Sequence, residues 1–116
     1  MTGTGALEAV ERILNCGGEA DDVLRRVVRA LVEQGGFPWA GILFVEEGRL
    51  ALGPEAGEAD PPARKQVPIT FKGERVAELA VDGAAEQDRV ALERIAVLIS
   101  GHCLVGWDTG GEQWIP

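Results

Sequence analysis

The sequence predicts an α/β domain of the α+β kind, with one antiparallel sheet and helices packed on one of its faces. Three observations carry this. The run Trp39 to Val45 is short and apolar at every position, with Gly35-Gly36 before it and an acidic glycine turn after it; this is the pattern of a strand buried on both faces. Glu46-Glu47-Gly48 and Lys72-Gly73 each separate two apolar runs, as hairpin turns do. The two ends of the chain instead repeat apolar residues at helical spacing.

Taken in order, residues 6–15 place Leu7, Val10, Ile13 and Leu14 on one helical face, and Gly17-Gly18 ends the element. A second helix opens on Glu19, Asp21 and Asp22, where carboxylates favour the positive end of the dipole. Val23, Leu24, Val27, Val28, Leu31 and Val32 form its apolar stripe, Arg25, Arg26 and Arg29 face water, and Gly35-Gly36 caps it. The central strand turns at Gly48 and returns as Arg49 to Leu52. Gly53 to Gln66 reads as a mobile loop in which Asp60-Pro61-Pro62 forbids helix. Val67 to Phe71 and Glu74 to Val81 form the second hairpin, and Pro68, which has no amide donor, places its strand at a sheet edge. Ala77, Leu79 and Val81 share the face expected to meet the helices; Val76, Glu78, Ala80 and Asp82 share the other. Residues 88–106 form the last helix, with Leu92, Ile95, Leu98, Ile99 and Cys103 toward the sheet. Val90, Val97 and Leu104 repeat at seven on a different side, and a helix apolar on two sides is wedged between two partners. Trp107 to Pro116 carries two tryptophans, too apolar to be left wholly in water.

A chain of 116 residues that is 46% hydrophobic is expected to be a single domain over 1–116, with 1–5 and 107–116 as tails. Eleven basic against nineteen acidic residues leave a net charge of −8, which argues against a nucleic-acid partner. The start Met-Thr-Gly-Thr-Gly-Ala has neither a basic nor an apolar targeting pattern, no run is long enough to span a membrane, and two cysteines make no disulfide framework. A cytoplasmic chain without cofactor, metal, nucleic-acid or membrane partner is the expectation.

Trp39-Ala40-Gly41, the acidic turn, and Leu50-Ala51-Leu52-Gly53-Pro54-Glu55-Ala56-Gly57 come in an order that continues through Val67-Pro68-Ile69, Lys72-Gly73-Glu74-Arg75-Val76, Leu79-Ala80-Val81-Asp82 and a helix opening near Asp88. These motifs resemble a GAF domain, and within that fold the branch of free methionine-(R)-sulfoxide reductases, over most of residues 6–106. The resemblance implies a GAF-like sheet with the N- and C-terminal helices on one face, a lid over a small-molecule pocket on the other, and pairing through the terminal helices. The lid is truncated here, because Gly53 to Gln66 is far shorter than its counterpart. The reductases it resembles place their catalytic cysteines in that region, whereas this chain has none between Cys16 and Cys103 and has Pro61 near one such position. Of the acidic substrate-binding positions the match keeps Asp82, puts Ala80 at another, and sets a basic Arg64 or Lys65 near a third. Reductase chemistry, which needs a nucleophilic thiol and a resolving one, is therefore not expected, and the chain is read as no enzyme.

The chemistry-bearing side chains also have ordinary readings. Cys16 and Cys103 read as small core hydrophobes. His102 and Cys103 are helix neighbours about 100° apart and cannot chelate one metal; His102 is expected between helices with its nitrogens satisfied. Asp82 is expected to accept turn amides or cap the next helix, Trp39 to be core, and Glu78 to face solvent. The preferred function is a non-catalytic GAF-type module for dimerisation or protein interaction that keeps vestigial small-ligand binding. Two alternatives stand: a small-molecule sensor with a pocket lined by Trp39, Leu43, Glu78, Ala80 and Asp82, and a diverged enzyme related to the reductases. The expected homodimer seam is Leu7, Val10 and Leu14 of the first helix with Val90, Val97 and Leu104 of the last.

Overall fold

A computed structural model of the chain describes residues 3–104, so the expectation for the tail at 107–116 lies outside the described residues. These contain three α-helices and four strands: α1 (Gly3–Cys16), α2 (Ala20–Glu33), β1 (Trp39–Glu46), β2 (Arg49–Gly57), β3 (Arg64–Phe71), β4 (Glu74–Asp82) and α3 (Arg89–Ile99). Short 3-10 turns occupy Pro61–Ala63, Glu86–Asp88 and Ser100–Leu104. The strands pair antiparallel in the order β2-β1-β4-β3, which puts β1 with its apolar run Trp39 to Val45 in the interior and the Pro68 strand at an edge.

Turn chemistry sets this topology locally. Glu47-Gly48 and Lys72-Gly73 both adopt positive φ at both residues (50° and 78°; 52° and 84°), the two-residue turn whose twist matches that of paired strands. Gly36, also at positive φ (77°), closes α2, and its amide reaches the Val32 carbonyl at 3.2 Å.

Every α-helix lies on the same side of the sheet. Ala40, Ile42 and Phe44 of β1 and Ala77, Leu79 and Val81 of β4 form one core with residues of α1, α2 and α3. α2 packs on β1 and β2, and α3 on β3 and β4. α1 packs on α2 and α3, so it forms an outer cover rather than a sheet-facing helix. No described helix is long and apolar enough to cross a membrane.

Several expectations are corrected. Gly53–Gln66 is mostly strand: β2 runs on through a bulge at Gly53-Pro54 to pair Gly57 with Trp39, and β3 already begins at Arg64. A bulge accommodates a proline because its residues need not donate to the ladder. Asp60-Pro61-Pro62 opens a 3-10 turn rather than extended chain, with prolines at its first positions, where a missing amide costs nothing. Val76, expected on the far face, packs against the helix-side core, because the β3–β4 register slips between Ile69 and Thr70 and leaves it unopposed. Val10 is 0% exposed and belongs to the core, not to a seam. Cys16 is exposed, Arg26 turns back to the Gly17 carbonyl at 2.9 Å, and His102 keeps a buried Nδ1 with no partner among the described residues. The last helix changes to 3-10 geometry at Ser100, which turns Leu104 off the line of Val90 and Val97.

Candidate functional site

The sheet face away from the helices carries the predicted pocket residues. Strand alternation puts Trp39, Gly41 and Leu43 of β1 on it, and the β1–β4 register sets them opposite Asp82, Ala80 and Glu78. β3 adds Arg64 opposite Asp82, and β2 adds Glu55 opposite Gly41. All five predicted residues are thus gathered on one face, where Trp39, Leu43, Ala80 and Asp82 are closed off from solvent. Trp39, Leu43 and Ala80 form a small apolar cluster, each no more than 1% exposed, with Leu50 and Leu52 packed around it. Glu78 is half-buried and paired with Arg75 at 2.8 Å.

Trp39 fills the space itself. A Cβ on Gly41 would meet the far edge of its indole at 2.6 Å, so the ring lies flat across a backbone that only glycine keeps low enough. The indole N–H donates to Glu55 Oε1 at 3.0 Å, which anchors the polar end of the ring. Above the ring sits the Arg64 guanidinium, its carbon 4.1 Å from the ring centre, a cation–π distance.

Arg64 also carries the main electrostatic contact of the site. Its Nε donates to Asp82 Oδ1 at 2.7 Å and its Nη2 to Asp82 Oδ2 at 3.1 Å, a forked pair. The Asp60 amide donates to Asp82 Oδ2 from the connection between β2 and β3. The Asp82 carboxylate is fully buried and the Arg64 side chain 8% exposed. Burial by itself would raise the Asp82 carboxyl, but the Arg64 hydrogen bonds, the Asp60 amide and the Arg64 charge outweigh it and hold the group below its ordinary value. Asp82 therefore accepts a backbone amide, as expected, but from the preceding connection; Asp88 is the carboxylate that takes up the amide of Ala85 ahead of α3, at 2.8 Å.

Arg64, Glu55 and Asp60 were not among the predicted site residues. Strand alternation back from Val67 and Ile69 puts Arg64 on the face of Asp82, but the pairing register that brings the two together is a long-range property.

The two thiols sit in different surroundings. Cys103 is buried beneath the helix layer, where desolvation pushes its pKa up to about 12, and Cys16 is exposed at the end of α1. A thiol held protonated is a poor nucleophile. Among the described residues, grooves lie away from the candidate face. One of about 410 Å³ runs between α1 and α2 beside Arg12 and Arg29, and one of about 340 Å³ lies at the hairpin ends beside Glu74 and Leu104. On the outer side of α3, Val90 and Val97 are 78% and 61% exposed, and Leu104 beyond the helix is 50% exposed.

No protein-family model matches the sequence, and no curated protein matches it. The fold does match solved structures. The free methionine-(R)-sulfoxide reductase of Neisseria meningitidis, solved with its substrate, superposes with a TM-score of 0.73 at 17% identity, covering 85% of this chain and 86% of that one. The type II free methionine-(R)-sulfoxide reductase of Thermoplasma acidophilum gives 0.67 at 18% identity over 76% of this chain and 94% of that one. The GAF domain of a phosphoenolpyruvate-protein phosphotransferase from Coxiella burnetii gives 0.71 at 12% identity over 90% and 95%. The chain has a GAF-like fold, the architecture common to these reductases and to the phosphotransferase domain.

Proposed function

We propose that this chain is a non-catalytic GAF-type module that pairs with a second copy of itself through the outer face of α3. The observation that carries this reading is the exposure of Val90 and Val97, 78% and 61%, one heptad apart on one helix. Exposed Glu93 and Arg94 lie between them on the same face. A two-fold axis through the middle of that face sets Val90 of each copy against Val97 of the other and Glu93 against Arg94, a self-complementary arrangement of the kind an isologous dimer requires. Burying each valine is worth about 1.5–3 kcal/mol at full burial. The absence of reductase chemistry is supported by a buried Cys103 with a raised pKa and by the lack of cysteine near the Trp39–Asp82 face.

Val97→Glu tests the reading. Because Val97 is exposed in the single chain, the variant should stay folded, while in the pair each new carboxylate is set against Val90 of the other copy, where it is buried without a partner and breaks the contact. Light scattering is expected to show a dimer for the parent chain and a monomer for the variant, with nearly unchanged melting of the monomer. A parent chain that is monomeric at high concentration overturns the proposal.

A further inference from the structure

We infer that Arg64 is an internal cation seated in a receptor for guanidinium-class ligands, built from the buried Asp82 carboxylate and the flat face of Trp39. This concerns the opposite side of the molecule from α3 and stands whether or not the chain dimerises.

The receptor and its occupant come from different parts of the fold. Trp39 and Asp82 sit directly opposite each other on β1 and β4, the two interior strands. Glu55 fixes the indole through its N–H, and Gly41 lets the ring lie flat. The Asp60 amide holds one carboxylate oxygen. None of these contacts involves Arg64. The cation alone arrives from the first residue of edge strand β3, directly after the exposed Pro61–Ala63 turn, on a side chain with three flexible methylenes. A charged group on such a stem can withdraw while the paired interior strands stay in place.

The geometry also selects the ligand. The carboxylate is met by two donors of one planar fork, at 2.7 and 3.1 Å, while the carbon of the same fork stands over an aromatic ring, 4.1 Å from its centre. A guanidinium or amidinium satisfies both demands together; a primary ammonium offers charge without the fork, and a quaternary ammonium can stack but cannot donate. Vacating the site without replacement leaves a buried charge unpaired, so a ligand enters by exchange with Arg64. Because Arg64 is tethered at high effective concentration, the parent chain is predicted to bind free guanidinium compounds weakly and the emptied site to bind them well.

The test is chemical rescue. Arg64→Ala is melted in millimolar methylguanidinium chloride, with methylammonium and tetramethylammonium chlorides at equal ionic strength as controls. The expected result is a lower melting temperature than the parent chain, raised saturably by methylguanidinium, less by methylammonium and not by tetramethylammonium. Half-saturation for the variant should lie at least tenfold below any effect on the parent chain, and Arg64→Ala/Asp82→Asn should lose the response. If Arg64→Ala does not fold alone, its refolding yield in the same three salts is the measurement, with the same order expected. No response in either measurement, an equal response to tetramethylammonium, or a response that survives Asp82→Asn overturns the inference.

Discussion

The two faces of the sheet are closed in different ways. On one, Ala40, Ile42, Phe44, Ala77, Leu79 and Val81 meet α2 and α3, with α1 laid over both helices. Contacts there are nondirectional, so neighbours can share the strain when one side chain changes. On the other, Trp39, Leu43 and Ala80 are just as inaccessible, yet the helices all lie on the far side. Among the described residues an indole seated on Gly41 and pinned by Glu55 lies across that face, with the Arg64 guanidinium over the ring and paired to Asp82. The first face gains stability from apolar area and the second depends on a few directional contacts. The second should therefore be the more brittle to single changes.

The sharpest way to break this contrast is Asp82→Ala. Removing the carboxylate leaves a buried guanidinium and the Asp60 amide without their acceptor, and unfolding in urea should show a loss of about 3–5 kcal/mol. The pair also has a pH signature. A carboxyl held below its ordinary value in the folded state contributes stability that is fully present above its unfolded pKa, roughly 3.9, and is lost as pH falls through the folded value. Asp82→Asn should therefore flatten the acid limb of the stability profile below about pH 4 relative to the parent chain. An unchanged acid limb would show that the lock does not depend on the charge of Asp82.

Gly41→Ala is a smaller perturbation of the same face. Its new methyl group would meet the indole at 2.6 Å, and lifting the ring out from under Arg64 should cost about 1–3 kcal/mol. The Trp39 indole N–H resonance should move with it, as the bond to Glu55 lengthens. A neutral Gly41→Ala with an unmoved resonance would mean that the face has slack which the packing does not show.

The mildest test asks whether the helix side is as closed as its burial implies. Cys103 lies beneath it and Cys16 at its margin. With the Cys103 pKa pushed to about 12, native protein at neutral pH should label with a thiol reagent at Cys16 alone and at Cys103 only on unfolding. Fast native labelling of Cys103 would reveal opening of the helix layer without global unfolding.

Much of the architecture was legible because it is encoded over short range. An apolar run of seven marks β1 as interior, X-Gly dipeptides specify the tight hairpins, and Val23 to Leu31 describe one face of α2, since each signal needs only residues within a turn or a pleat of one another. The candidate site was half legible. Alternation alone gathers Trp39, Leu43, Glu78, Ala80 and Asp82 on one face of two strands, and all five are found there. What alternation does not report is whether that face is open.

That was decided by tertiary structure, through contacts between residues far apart in the chain. Arg64 and Asp82 are eighteen positions apart, and they meet only because β3 pairs with β4 in the register Arg64↔Asp82. Glu55 reaches Trp39 only because β2 continues past a bulge that extends its pairing to Gly57. The same holds for Val76, which a register slip turns inward, and for Leu104, which a change of helical pitch takes off the heptad line. Local periodicity determined which residues share a surface; sheet register and helix pitch, which depend on the free energy of the whole packed chain, determined that one surface carries its own indole and guanidinium while the valines of α3 face outward from the single chain.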